Sequence, residues 1–473
     1  MARSPSVPGP SGSIDSRPRF VAPTDARQST LFVLTAVLVG DVVLAVALRT
    51  RGLLSLLLAL VPLPLVAVLG LALLRRPQRG VLVLAALLPF DGLHQLVPFP
   101  SGWKEALVVL TLTATFVAPP EARGTPGRKP PSWWVPTAGL LALALTSAVA
   151  VSATRGLVGL KIGFFYVLVA VIVWRCPFSA RERDRLVTIL MVAGFVTAVI
   201  GVVQQVLGPE RLVELGWEYN TNVRFAGGYL RSFSTFDTNF GFALFLMMVV
   251  LVGVPSALHD LRRPRNVLFL LVLPVLGMAL AFTVTRAAWL GLTVGLGYLA
   301  ITRLPPLRTV LVHGIVLGTV ALLVAGGYSS AFLSQASSDE RFDLWRQNVG
   351  QLADHPLGVG VGASGSAAEK VQELTGGGDE VFQPDNYYFK TALELGVLGL
   401  WLLLVLLVTA FAAAHVAGGD SSGADAALAS GVAALVLATA AVSTVATYLE
   451  VFPMDAYFWL LLGVVAACEP ESR

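Results

Sequence analysis

Three arginines and one aspartate have the side chains and the settings to work on a charged substrate. Arg231 sits in LRSFSTFDTNFGFAL (230–244) and Arg286 in TVTRAAWLG (283–291), each next to a long apolar run, whereas Arg341, in DERFDLWRQNVGQL (339–352), opens a large polar loop. A guanidinium is planar, permanently charged and rich in donors, so it suits a diphosphate, with about 1.5–3 kcal/mol for each charge-assisted contact. The alternative is ion pairing with Asp339, Glu340 or Asp343, or snorkelling to lipid headgroups. Arg286 is the most informative of the three, because TVTRAAWLG offers it no acidic neighbour.

Asp385, in PDNYYF (384–389), is the candidate acid or base. An aspartate before an apolar helix is a strong N-cap. The same carboxylate is suited to take a proton from a sugar hydroxyl, and Asn386, Tyr387 and Tyr388 supply a polar, aromatic surface that suits a sugar. Asp41, Asp91, His94, Lys161 and Glu394 fall inside or at the ends of apolar runs. A charge at mid-bilayer costs at least about 2.5–3.5 kcal/mol, so each of these implies a polar cavity or a partner. Lys161 is placed either to reach a lipid phosphate or to pair with a carboxylate. Asp91 and His94 are one turn apart, which suits a hydrogen-bonded pair better than a two-ligand metal site. His355, in HPLG, is a turn residue, and His259, His313 and His415 show no ligand pattern.

Other chemistries lack their signatures. The sequence has no P-loop, dinucleotide fingerprint, HExxH or GxSxG in a suitable context. No acidic pair of the DxD kind stands ready to hold a metal against a donor phosphate, so the expectation is no metal and no cofactor, with cationic side chains stabilising the leaving group. The two cysteines, Cys176 and Cys468, exclude a disulfide framework. The basic residues, 28 Arg and 5 Lys, form no basic run, so nucleic acid is not an expected partner.

The elements that must position these residues are membrane helices. Of 473 residues 55% are apolar and only 13% charged, about half the charge of a soluble domain. Apolar runs recur at 31–48, 53–74, 81–98, 106–118, 135–152, 156–174, 186–207, 236–254, 267–284, 287–302, 309–327, 391–413, 426–447 and 456–468. The fold expected is therefore an all-α polytopic membrane protein of about 14 transmembrane helices. With the N-terminus inside, the breaks RRPQR (75–79), RGTPGRK (123–129), RCPFSARERDR (175–185), RRPR (262–265) and TRLPPLR (302–308) satisfy the positive-inside rule. The expected organisation is a disordered cytoplasmic tail (1–28), a transmembrane domain (29–468) and a short cytoplasmic tail (469–473). Two extracytoplasmic segments, 208–235 and 328–390, hold most of the polar sequence, and the second lies between helices 11 and 12. There Phe342, Trp345, Val349 and Leu352 share a helical face, HPLGVGVG (355–362) forces turns, SAAEKVQEL (366–374) reads as a short helix, and GGG (376–378) is a joint.

In Asp385-Asn386, nine residues separate Asn386 from Gly396-Val397-Leu398-Gly399. This spacing resembles the signature of the O-antigen ligase and O-antigen polymerase superfamily, in which a His stands where this chain has Asp385. LRSFSTFDTNFGFAL, TVTRAAWLGL, the Arg341–Gly362 stretch and ALELGVLGL (392–400) follow in the family's order, so the resemblance covers roughly 220–467. It implies a membrane-embedded C-type glycosyltransferase (GT-C-like) that moves a glycan from an undecaprenyl (polyprenyl) diphosphate carrier to a saccharide or glycolipid acceptor. Transfer would take place on the outer face of the cell membrane, with inversion and without metal or nucleotide. Arg341 resembles the family's loop arginine that contacts the diphosphate, and the second family arginine maps to Arg286 or Arg231. A carboxylate, with a reference pKa of about 3.9 against about 6.5 for imidazole, is the weaker base. The rival class is a transporter, either a lipid-linked glycan flippase or a small-anion carrier. A flippase should show paired repeats, and the two halves of this chain show none.

Overall fold

The computed structural model describes residues 70, 73, 75–96, 102–124, 129–219, 221–226, 228–305, 308–309, 355–375 and 381–468. The chain divides into two units, Met1–Gly70 and Leu71–Arg473. The first lies outside the described residues except for Gly70, and the elements named here all belong to the second. Asp41, His313 and Arg341 lie outside the described residues, as do the expected spans 31–48 and 309–327, nearly all of 53–74, and the helix at 339–352.

The elements in chain order are α1 (Gln78–Leu87), a 3-10 segment (Leu88–Gln95), α2 (Trp103–Val117), α3 (Trp134–Val151), α4 (Ala153–Phe164), α5 (Val167–Arg175) and α6 (Ala180–Glu214). A hairpin of β1 (Arg224–Ala226) and β2 (Tyr229–Arg231) follows, then α7 (Asn239–His259), α8 (Pro264–Phe282) and α9 (Arg286–Thr302). The last described elements are α10 (Gly365–Thr375), α11 (Tyr387–Asp420), α12 (Gly423–Val442), a 3-10 turn (Tyr448–Glu450) and α13 (Met454–Ala466). Of the described helices, α3, α6, α7, α8, α11 and α12 are long and apolar enough to cross a membrane, and the pair α4–α5, bent by 52°, makes a seventh candidate span. The protein is an all-α, multi-pass membrane protein.

Burial sorts the helices into two kinds. The apolar stretch of α7 is 89% buried and that of α12 72%, against 28% for α3 and α8. An apolar helix that is covered on every side belongs to the middle of a bundle, whereas one covered on a single face leaves the rest to lipid. Accordingly α12 packs on α7, α9 and α11, α6 packs on α8, and α13 packs on α5. Local chemistry sets the starts of these helices. Ser179 and Glu182 form a reciprocal capping box at α6, the Thr238 hydroxyl accepts from the Gly241 amide at α7, and Ser152 caps α4.

Three expected spans take a different form. In 81–98 only the first part is α-helical, and the chain tightens to a 3-10 segment at Leu88, where Pro89 follows. The run 156–174 is the bent pair α4–α5. The run 186–207 breaks at Gly208, whose φ 75° and ψ 169° are non-helical, and a second short helical stretch, counted with α6, follows from Pro209 to Glu214. The short helix expected at 366–374 is α10.

Candidate active site

Asn386, not Asp385, caps α11. Its Oδ1 accepts from the Tyr388 and Phe389 amides at 2.9 and 3.1 Å, and its Nδ2 donates to the Thr444 carbonyl at 2.9 Å. The Tyr387 amide donates to the Ser443 carbonyl at 2.9 Å, and the Tyr388 hydroxyl to the Ala440 carbonyl at 2.8 Å. The start of α11 is thus sewn to the end of α12. Asp385 stands one residue outside the helix, exposed, and its carboxylate is not the cap.

Arg286 opens α9 at the same end of the bundle. Gly291 of α9 lies against Val442 of α12, and five residues at 1.5 Å of rise put Arg286 about 7.5 Å further along the axis, level with the loop that receives Asn386. Arg231 closes β2 and reaches the same turn, with Nε donating to the Thr283 carbonyl at 3.1 Å and Nη2 to the Val284 carbonyl at 3.2 Å. Its strand partner is Arg224. Burial, together with the charges of Arg224 and Arg286, pushes the Arg231 guanidinium down to about 10, so three cations share one neighbourhood. Thr285, at the N-cap of α9, makes no side-chain capping bond to the helix. An uncapped helix start beside arginines is a ready anion site.

The backbone is strained at this turn. Val284 has φ 49°, a left-handed conformation that is unusual for a β-branched residue and costs on the order of 1–3 kcal/mol. The preceding LRSFST segment is threaded through the interior. Gln205 Nε2 donates to the Leu230 carbonyl and the Ser232 hydroxyl, both at 2.8 Å, and Gln204 Oε1 accepts from the Phe233 and Ser234 amides at 3.1 and 2.7 Å. Leu212, Trp217, Val223, Leu230 and Phe233 form an apolar cluster beneath the hairpin, which fixes where Arg224 and Arg231 stand.

Behind the start of α11 lies a buried ionic cluster. Lys390 Nζ donates to Glu394 Oε1 at 2.5 Å, to Glu450 Oε1 at 3.1 Å and to the Ser364 carbonyl at 2.9 Å. Ser364 donates its amide and hydroxyl to the same Glu394 oxygen at 3.0 and 2.9 Å. Lys390, Glu394 and Glu450 side chains are 2%, 7% and 6% exposed. They line one end of a cleft whose empty space, counting its mouth, is about 590 Å³; its other walls include Tyr387, Phe164, Leu406 and Trp459. Glu450 Oε2 is buried with no hydrogen-bond partner.

A third polar group ties the 88–104 region to the start of α7. Asp91 accepts from Trp103 Nε1 at 2.9 Å and from Lys104 Nζ, and His94 Nδ1 lies 2.6 Å from the Asp91 carbonyl. Asp91, His94 and Asp237 are grouped closely enough for a metal ion. Both Asp91 oxygens are occupied by donors, however, and the Lys104 ammonium already supplies the positive charge a metal would bring. His94 bonds to Asp91 through the backbone carbonyl, and the Asp91 carboxylate is paired with Trp103 and Lys104. Lys161 pairs with Glu105 at 2.9 Å, the carboxylate alternative of the two expected for it.

The structure therefore brings Arg231 and Arg286 together, sets Asp385 at the same end, and uses Asn386 and the Tyr388 hydroxyl to hold α11. Lys390, Glu450, Lys104 and the glutamine pair were not among the residues expected from sequence. The available signals were the i,i+4 spacing of Lys390 and Glu394 inside an apolar run and two adjacent glutamines in the middle of another.

Residues 267–404 match the family described as O-antigen ligase. The match includes Arg286, Asp385 and the Gly396–Gly399 motif and begins downstream of Arg231. Over 360 residues the chain is 23% identical to an O-antigen polymerase of Salmonella muenchen, an alignment that covers 67% of this chain and 83% of that protein.

Proposed function

We propose, from the match of residues 267–404 and the similarity to an O-antigen polymerase, that this chain is a member of the O-antigen ligase and polymerase superfamily and transfers a glycan from a polyprenyl diphosphate carrier to a saccharide or glycolipid hydroxyl. The observation that carries this reading is that Arg231, which faces Arg224 across the hairpin, reaches the turn before the uncapped start of α9 that Arg286 opens, at the end of the bundle where Asp385 precedes α11. The role at the coarser level is that of a membrane glycosyltransferase acting on lipid-linked glycans.

In the proposed reaction Arg231 and Arg286, joined by Arg341, hold the diphosphate and neutralise it as it leaves. Charge that develops on the departing oxygen meets fixed donors, so no solvent has to reorganise and no metal ion is required. Asp385 takes the proton from the acceptor hydroxyl while that oxygen attacks the anomeric carbon from the face opposite the phosphate. One C–O bond forms and another breaks, with inversion. Tyr387 offers its ring to the acceptor, while Asn386 and Tyr388 keep Asp385 in place. In this reading both termini lie in the cytoplasm and the site on the outer face.

A carrier reading draws on the Lys390–Glu394–Glu450 cluster, since buried charges in spans also mark transport pathways. One experiment separates the two. The full chain is reconstituted with a polyprenyl-diphosphate glycan and an acceptor, and the products are resolved by mass. Extended or transferred product supports the transferase. Movement of labelled donor across the bilayer without product supports the carrier, and normal transfer by Arg286→Ala and Asp385→Ala variants removes the residue assignments.

A further inference from the structure

We propose that Lys390 is a positioning residue that locks the glycine-rich segment 355–364 onto α11, the helix that Asp385 precedes. A lysine ammonium has three donors and no acceptor, and all three are used here on three separate parts of the chain. Ser364, at the end of the glycine-rich segment, gives its carbonyl at 2.9 Å. Glu394, one turn further along α11, gives a carboxylate oxygen at 2.5 Å. Glu450, in the connection between α12 and α13, gives another at 3.1 Å. No other described lysine is as deeply buried, and its position, four residues from Asn386, places this junction within the first turn of the helix that Asp385 precedes.

The glycine-rich segment has a second grip on α11. The Val359 amide donates to the Leu393 carbonyl at 2.8 Å, the Gly360 amide to the Glu394 carbonyl at 3.1 Å, and the Val397 amide to the Pro356 carbonyl at 3.1 Å. These backbone bonds fill the break in α11 at Gly396, while the ionic bonds reach the same segment from its side-chain face. The segment then passes directly into α10, whose Ala367 is 1% exposed. Removing the ammonium leaves two buried carboxylates facing each other and frees the Ser364 carbonyl, so the end of the segment detaches first. Detachment moves the reacting groups out of register with a bound donor without touching Arg231 or Arg286. The expected signature is therefore a loss in kcat with donor KM retained.

The part of this inference that concerns turnover rests on the transferase reading; the part that concerns docking does not. The test uses the full chain carrying Ala367→Cys and Cys468→Ser as parent, with maleimide labelling of Cys at 367 and transfer from a lipid-diphosphate glycan measured on the same samples. In Lys390→Met, labelling should rise about tenfold or more as the segment opens, and kcat should fall by about tenfold or more with donor KM within about twofold. Glu450→Gln, which keeps an acceptor for the ammonium, should move both quantities less than Glu450→Ala. Labelling at the parent rate in folded Lys390→Met overturns the proposal, and so does fast labelling with unchanged kcat. If Lys390→Met does not fold, Glu450→Ala decides on the same criteria. If the parent transfers nothing, the transferase reading falls and the labelling comparison alone decides the docking.

Discussion

Gly358 and Gly396 face each other so closely that neither has room for a side chain. A methyl group on Gly358 would lie 2.5 Å from the Glu394 carbonyl oxygen and 2.6 Å from the Gly396 nitrogen, and one on Gly396 would lie 2.5 Å from the Pro356 carbonyl oxygen. Both glycines have φ above zero, 86° and 69°. Gly396 also has ψ −172°, a conformation nearly restricted to glycine. The break in α11 and the glycine-rich segment are therefore one device, in which the segment supplies the hydrogen bonds that the broken helix gives up.

Gly358→Ala and Gly396→Ala should accordingly each destabilise the protein well beyond the usual effect of a Gly-to-Ala change. Backbone strain alone accounts for about 1–3 kcal/mol, and the backbone overlaps add to it. Thermal unfolding in detergent is the measurement, with Gly277→Ala as the control, since a methyl there meets nothing within 4 Å. Equal melting temperatures for the three variants would show that the tight approach carries no energy.

The arginine cluster stores repulsion that a diphosphate should relieve. Burial and two like charges push Arg231 down from 12.5 to about 10, so the folded state disfavours its charged form. Stability is therefore diminished while the group is charged and improves as pH rises from about 10 towards 12.5. Near neutrality the group stays protonated, and Arg224→Gln should raise the melting temperature of the free protein while weakening donor binding. Arg286→Ala and Arg231→Ala should each lower transfer by about 1.5–3 kcal/mol, roughly 10- to 150-fold, with lysine replacements keeping the charge but losing the fork. The measurements are melting temperature with and without pyrophosphate and kcat/KM for transfer.

Asp385 stands where the superfamily signature has histidine, and its carboxylate is not used as the helix cap. Asp385→Asn should remove the base while leaving the helix start intact, because Asn386 provides the cap; the expected loss is about 10²–10⁴-fold in kcat. Asp385→His, which restores the residue type of the signature, should recover part of that rate. An unchanged rate in Asp385→Asn would take the proton-transfer role away from this residue.

The sequence makes the membrane character and most helix positions readable because both depend on local chemistry: apolar runs, caps and breaking residues. Arg286 stands out for the same kind of reason, having no acidic neighbour within its own segment. The glycine spacing in 396–399 can be seen as a pattern, but its cause, the insertion of 355–362, is a contact between residues about 40 apart in the chain and leaves no local trace. Lys390 is less visible still. Its partners Ser364 and Glu450 come from 26 residues upstream and from a connection beyond the next helix, and no periodicity predicts that they meet.

The Lys390 cluster should also give the protein a pH-dependent stability that one substitution removes. Glu450 lies outside the membrane-spanning helices, facing Lys390 and Glu394, and burial pushes its carboxyl up from 4.5 despite the attraction of Lys390. A carboxyl with a raised folded pKa binds more protons in the folded state than in the unfolded one. Its contribution is therefore complete below 4.5 and is lost as pH climbs through the folded value. The melting temperature should accordingly fall as pH rises above the ordinary carboxylate range, and Glu450→Gln, which does not titrate, should flatten that slope. Lys390→Ala should cost about 3–5 kcal/mol, because it leaves buried carboxylates without their cation, and should steepen the slope, since Glu394 then repels Glu450 unopposed. Melting temperatures measured from about pH 4.5 to about pH 8 for the three proteins, a range that spans the ordinary and the raised carboxyl values, decide the matter: parallel curves would mean that Glu450 keeps one protonation state throughout.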